Sequence, residues 1–489
     1  MWIILTACRY YCGETRSTSK QRISRGLQLD TVNLSIRQHL YQSAFACYLI
    51  TTAIFDKVPM EYYSLNRQSP PVDFRAATIA GQAPDGGLYF PETIPQFSVE
   101  FLQNLPNLAP ADIAYQVMQP YVGDTMPEAE LRRICAETVD FPFPLVPVTG
   151  QISALELFHG PTLAFKDVGA RFMSRCLGYF SQQQTAPVTV LVATSGDTGG
   201  AVADGFLGVE GVEVVILYPS GKVSPLQELQ LTTLGQNITA LEVQGNFDDC
   251  QALVKQAFKD ESLTSRRTLT SANSINVARW LPQQLYYLFA MQQWVPAAPP
   301  VIAVPSGNFG NLCAGLLAHA SGLPVGHFIA ACNANDAGAE YLRTAIFAPK
   351  TAVATISNAM DVGHPSNFVR ILELFKHEHA TISQLLSGYS VSDADTSATI
   401  QRVEAERGYL LDPHGAVAFF ALEKYLADYP AAAGFVLATA HPVKFPEVVE
   451  PLIGRRVELP AALHYLLAKP KQSVPMQPSY EALRTWLLR

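Results

Sequence analysis

Between residues 187 and 440 the chain repeats one pattern: a short run of apolar and β-branched residues, a glycine-bearing loop, then apolar positions at helical spacing. The run PVTVLVAT (187–194) is almost continuously apolar, which suits a strand buried on both faces. Further strands are predicted at VEVVILYP (212–219), ITALEVQ (238–244), PPVIAVP (299–305), GHFIAACN (326–333) and GFVLATA (434–440). Helices are predicted from Phe247 to Phe258 and within SGNFGNLCAGLLAHASG (306–322). Another opens near Lys166, where Val168, Phe172 and Leu177 form an apolar stripe. Strands alternating with helices predict an α/β fold of parallel sheets with helices on both faces. Residues 60–150 read differently. They are proline-rich, carry the turn signal Ala83-Pro84-Asp85-Gly86-Gly87, and predict a compact N-terminal domain ahead of a larger region, 151–489. The stretch FPFPLVPV (141–148) reads as a linker or edge strand between them.

Composition narrows the class. The chain has 489 residues, 48% hydrophobic and 16% charged, enough for a large buried core in more than one domain. A formal net charge of −8 excludes a broad nucleic-acid footprint, which needs excess Lys and Arg. The eight cysteines contain no CxxC pair, and Cys8 with Cys12 do not complete a zinc site, so no metal is expected. A reducing, cytoplasmic compartment is the simplest setting. Residues 1–59 stand apart, with seven basic residues against Glu14, Asp30 and Asp56. A transit peptide is one reading. A signal anchor is another, but AFACYLITTAIF (44–55) is short for a membrane span. The preferred reading is sequence upstream of a natural start at Met60, since patterned sequence follows at once.

Four segments carry candidate chemistry. In SGNFGN (306–311), glycines follow a strand and precede a helix, so backbone N–H groups and the helix dipole can hold an anion. The alternative is a glycine-rich turn without a ligand. TSGDTGG (194–200) has the same setting; Ser195, Thr198 and the loop amides suit a carboxylate or phosphate, and Asp197 reads equally as an ordinary N-cap. Two such loops at the C-terminal ends of parallel strands mark where ligands bind in open α/β folds. SANSINVARW (271–280) crowds Asn273, Ser274, Asn276 and Arg279 together, and an Arg with a Ser suits a phosphate dianion. Ser274 and Arg279 share a site only if a loop-to-helix turn lies between them. Lys222 in YPSGKVSP is a further anion ligand by position, and Thr439 in ATAHP ends a strand. Plain structural roles are the default for Thr439, His159, His364 and His414. Finally, Lys166 sits in HGPTLAFKDVGARF (159–172), among apolar neighbours at a loop–helix junction. On this run alone such a lysine reads as a surface or salt-bridged one or, if its pKa is depressed among apolar neighbours, as one capable of Schiff-base chemistry.

Taken in order, HGPTLAFKD (159–167), TSGDTGGA (194–201), YPSGKVS (218–224), NSINVAR (273–279), PSGNFGN (305–311), SNAMDVGHPSNF (357–368) and DPHGAVA (412–418) resemble the threonine synthases. These are fold-type II pyridoxal 5′-phosphate enzymes, built like the tryptophan synthase β chain. EYYSLN and QAPDGGLYFPETIP resemble the family's N-terminal domain, HGPTLAFKD with GNFGN resembles the branch where that domain is larger, and the likeness runs from about residue 60 to 489.

The resemblance implies two parallel-sheet lobes plus the N-terminal domain, and Lys166 as the lysine that carries the cofactor as a Schiff base. Gly307, Asn308, Phe309, Gly310 and Asn311 would hold the cofactor phosphate, and Thr439 the pyridine nitrogen. Asp197 falls where many relatives carry an asparagine beside the cofactor's 3′-oxygen; a carboxylate there must be protonated or take the phenolic proton. Ser195 and Thr198 would hold the substrate carboxylate or phosphate, and Lys222, Asn273, Ser274 and Arg279 its phosphate. The implied reaction turns O-phospho-L-homoserine and water into L-threonine and phosphate, the last step of threonine biosynthesis from aspartate. The implied enzyme is a cytoplasmic monomer or homodimer with a small-molecule substrate. The nearest alternative is another lyase on the same scaffold, a phosphohomoserine lyase or a serine/threonine dehydratase. A dehydratase has no need of Arg279 and Lys222. A non-catalytic cofactor-binding protein would be expected to lose Lys166 or a loop glycine. A nucleotide-binding protein would need a Walker lysine.

Overall fold

The apolar runs form two separate sheets in the computed structural model, which describes residues 59–182 and 187–489. Among these residues the strands are β1 (Tyr62–Ser64), β2 (Tyr89–Pro91), β3 (Leu145–Pro147), β4 (Ile152–Glu156), β5 (Val188–Ala193), β6 (Val212–Pro219) and β7 (Ile238–Val243). There follow β8 (Thr268–Ser271), β9 (Val301–Pro305), β10 (His327–Cys332), β11 (Leu386–Ser390), β12 (Gly434–Ala438) and β13 (Val474–Met476). The larger sheet runs β11-β10-β9-β12-β4-β3 and the smaller β13-β7-β6-β5-β8. All pairings in both are parallel except β3 with β4. FPFPLVPV therefore supplies an edge strand, the place where prolines without N–H donors are tolerated. Every residue of β5 is buried, as its unbroken apolar run requires.

Because the strands within each sheet are parallel, their C-terminal ends share one side, and the loops leaving them carry the candidate residues. The helices that follow are fixed by local chemistry. Asn246 and Asp249 make a reciprocal capping box at the helix Phe247–Lys259. Ser224 and Asp412 cap helices that open on Pro225 and Pro413.

The described residues belong to one compact unit, Pro59–Arg489. Residues on the two sides of the boundary expected near residue 150 pack against each other in a common apolar cluster. Phe74 meets Phe172 and Phe180 of the helix Lys166–Ser181, with ring centroids 6.4 and 6.2 Å apart. The extension 1–59 and the start-site reading lie, except for Pro59, outside the described residues. No helix among the described residues is long and apolar enough to cross a membrane. Phe172, fully buried at this junction, is a sensitive position. Phe172→Ala is expected to lower the unfolding free energy by about 3–5 kcal/mol, measured by denaturant titration.

Candidate active site

Lys166 opens its helix from a loop pinned to the end of β12. Leu157 N donates to Ala438 O at 2.9 Å, Phe165 N to Thr439 O at 2.9 Å, and His441 N to Leu163 O at 3.1 Å. Ala164 and Ala440 pair as an isolated bridge. Leu163 is held at φ 57°, a left-handed conformation that costs energy in a non-glycine residue and persists only where its surroundings impose it. From below, the Tyr286 hydroxyl donates to Phe165 O. Asp167 turns back to accept Thr162 N at 3.0 Å and the Thr162 hydroxyl. Burial pushes the Asp167 carboxyl up to about 6, against those two donors. The predicted stripe of Val168, Phe172 and Leu177 is buried, so the helix start cannot rotate freely.

This frame directs the Lys166 ammonium inward. Its side chain is only 16% exposed, and Nζ lies 3.3 Å from Asp197 Oδ2. Burial lowers its proton affinity; Asp197 opposes that shift, and Lys444 and Arg279 add to it. Lys166 is thus largely withdrawn from solvent and ion-paired with Asp197.

The 194–200 loop leaves β5. Thr194 Oγ1 accepts Gly196 N at 3.0 Å and Gly199 N at 2.8 Å. Gly196 has φ 143°, and a Cβ there would lie 2.4 Å from Gln227 Oε1. The N-cap of the helix Asp197–Phe206 is Gly196, so Asp197 is not the ordinary cap that the sequence also allowed. Its carboxylate instead accepts Gln227 Nε2 at 2.7 Å and pairs with Lys444 Nζ at 2.8 Å. Burial works against ionisation of Asp197, but Lys444 and Lys166 override it and hold the carboxyl far below its usual range. Ser195 and Thr198 are half-buried at the lip of the loop.

The 306–311 loop leaves β9 and opens the helix Gly310–Ala320. Phe309 occupies its N-cap at φ 49°. A Cβ on Gly307 would lie 2.6 Å from Met360 Cα, so only glycine fits. Asn308 Nδ2 donates to Ser274 Oγ at 2.7 Å, which joins this loop to the 271–280 segment. Asn311 Oδ1 accepts the Tyr287 hydroxyl at 3.0 Å, while Asn311 Nδ2 is buried without an acceptor. An orphaned buried donor beside a helix N-terminus, with glycines giving backbone access, fits a phosphate.

In the 271–280 segment, Asn276 proves structural. Its Oδ1 caps Ala278 N at 2.9 Å and its Nδ2 reaches Thr78 O at 2.9 Å. The short helix Val277–Trp280 that it starts is the turn required between Ser274 and Arg279. Arg279 is 4% exposed, donates to Ala272 O, and has a buried Nε with no acceptor. Asn273 Oδ1 is likewise buried and unpartnered. Burial lowers Arg279 to about 10, so it stays cationic. Lys222 is exposed on the loop after β6, and no contact ties its side chain to Arg279. Thr439, immediately after β12, is 7% exposed with its backbone bonded to the Lys166 loop.

The three histidines have structural partners. His159 Nε2 lies 2.7 Å from Glu156, His364 stands edge-on to Phe347, and buried His414 bridges Asp412 and Ala359 N. Sequence reasoning missed Lys444, Gln227 and Arg370. Arg370 is fully buried, 4.3 Å over the Trp280 ring. It donates to Tyr89 O at 3.0 Å, Ile275 O at 2.7 Å and Asn367 Oδ1 at 2.6 Å. The runs HPVKF and SNFVR show each only as a cation beside apolar residues, and such cations are placed at the surface by default.

A desolvated lysine at a helix start, an anion loop at another helix N-terminus and parallel sheets define the class: a family model described as "Pyridoxal-phosphate dependent enzyme" matches residues 148–438. The flanking regions match "Threonine synthase N terminus" at 61–139 and "Threonine synthase, C-terminal" at 415–486. The chain belongs to the threonine synthase family, pyridoxal-phosphate dependent lyases of fold type II. It is 44% identical over 431 residues to the threonine synthase of Serratia marcescens, spanning 88% of this chain and 99% of that one. The crystal structure of threonine synthase from Escherichia coli superposes with a TM-score of 0.82 at 43% identity, covering 88% of this chain and 99% of that one. The pyridoxal-phosphate-bound threonine synthase from Brucella melitensis also gives 0.82, at 35% identity over 88% and 98% of the two chains. The Cβ of Gly307→Ala would drive the loop from Met360, so pyridoxal-phosphate affinity is expected to fall by about tenfold to a hundredfold in equilibrium dialysis.

Proposed function

We propose that this chain converts O-phospho-L-homoserine and water to L-threonine and phosphate, with Lys166 as cofactor-bearing and proton-transferring residue. The observation that carries the reading is the desolvated Lys166 Nζ, 3.3 Å from Asp197, on a loop bonded to Thr439 O. Pyridoxal phosphate supplies, when bound, an electron sink for negative charge at the substrate Cα. Its phosphate is assigned to Gly307, Asn308, Phe309, Gly310 and Asn311, where the orphaned Asn311 Nδ2 offers a donor. The Thr439 hydroxyl is assigned to the pyridine nitrogen; a neutral partner leaves that nitrogen unprotonated.

Ser195 and Thr198 bind the substrate carboxylate or phosphate in this reading. The substrate phosphate falls to Asn273, Ser274 and Arg279. Buried Arg279 meets the growing charge of the leaving group in a low-dielectric setting, where a preorganised cation is most effective. Exposed Lys222 draws the dianion from the rim. Released from its attachment, Lys166 is the group that can take a proton at Cα and return protons to later atoms. The enzyme is assigned to the cytoplasm as a monomer or homodimer, in keeping with buried free thiols at Cys135, Cys176, Cys250, Cys313 and Cys332.

The test is an assay of purified protein on O-phosphohomoserine. Threonine and phosphate are expected in equal amounts; 2-oxobutyrate as main product would replace this reading with the lyase one. Lys166→Ala is expected to lose the cofactor's visible band and to lower turnover by about a thousandfold or more. Arg279→Met is expected to lower kcat/KM for the phosphorylated substrate by about two orders of magnitude or more, with the visible band retained.

A further inference from the structure

Lys444 lies on the turn Pro442–Lys444, five residues beyond Thr439. Its side chain is fully buried. Nζ makes two contacts: 2.8 Å to Asp197 Oδ1 and 2.7 Å to Thr162 O. A buried ammonium is tolerated only with a compensating anion and hydrogen bonds, and Asp197 is that anion. The same carboxylate reaches Lys166 through its other oxygen at 3.3 Å. One negative charge is thus shared by two ammonium groups. The remaining titratable groups facing this trio are Arg279 toward Lys166, and Asp167 and His441 toward Lys444. His441 is neutral, since burial pushes it down to about 4.

We propose that Lys444 is a positioning residue for the reaction: it takes Asp197 as its own counter-ion, holding that carboxylate anionic beside Lys166 while offsetting part of the stabilisation that the carboxylate gives to a protonated Lys166. This rests on the assignment of Lys166 as the cofactor-bearing residue. The sequence left two options for a carboxylate at residue 197, protonation or capture of the phenolic proton. Lys444 provides a third, neutralisation by a fixed neighbouring charge. Lys166, Asp197 and Lys444 together carry one positive charge when Lys166 is protonated and none when it is not. With Lys444 removed, the corresponding charges are zero and minus one, so protonation at Lys166 Nζ becomes easier.

The readout is the visible absorption of the holoenzyme, titrated from about pH 6 to about pH 10, which reports the proton on the lysine–cofactor nitrogen. Lys444→Met is expected to raise the midpoint by about one to three pH units. Asp197→Asn is expected to lower it, and the double variant, again neutral at these two positions, to return it toward wild type. Lys444→Arg, which keeps the charge, is expected to titrate close to wild type. A folded Lys444→Met protein with the wild-type midpoint would overturn the proposal and leave Lys444 a structural prop. If Lys444→Met does not fold, Asp197→Asn and the double variant decide: equal midpoints overturn the proposal, and a higher midpoint in the double variant sustains it. Absence of the band from the wild-type holoenzyme would instead defeat the assignment of Lys166.

Discussion

The site depends on the backbone junction between the Lys166 loop and the end of β12. The Ala164–Ala440 bridge and the Phe165 N to Thr439 O bond join two segments more than 270 residues apart. Backbone hydrogen bonds fix direction as well as distance. They set Lys166 at a helix start, beside Thr439, with its side chain reaching the loop that leaves the other sheet. Asp167 and Tyr286 then brace the same turn from two sides. Leu163, in its left-handed conformation, is the residue that absorbs the resulting strain.

Burial gives the charges their meaning. In water, two ammonium groups around one carboxylate would be screened and weakly coupled. Here Lys444 has no exposure and Asp197 almost none, so each charge is felt by its neighbours more strongly than it would be in bulk water. Arg279 follows the same logic. Among the described residues no carboxylate makes an ion pair with it, and it keeps a buried N–H without an acceptor.

The sequence disclosed what burial makes regular. The β5, β9, β10 and β12 runs were readable because strands covered on both faces are almost continuously apolar, and β6 and β7 because their β-branched runs are broken only at Glu213, Thr239 and Glu242. Lys166 and both glycine loops were readable because their backbone demands leave a residue signature, as at Gly307 and Gly196. β8 (Thr268–Ser271) and β13 (Val474–Met476) were missed because four- and three-residue strands show no periodicity. Lys444 and Arg370 were missed because lysine and arginine default to the surface, and only tertiary packing shows otherwise. Asn276 was misplaced among the polar candidates because a cap and a ligand look alike in one dimension.

Arg370 grips the N-terminal strand by a main-chain oxygen, Tyr89 O, while holding Ile275 O and Asn367 Oδ1 with the same guanidinium. A backbone acceptor is indifferent to which side chain the position carries. It is sensitive to where the position falls along the chain. The Arg370 contact therefore fixes the position of the Tyr89 main chain, while the Tyr89 side chain is held separately by its own burial.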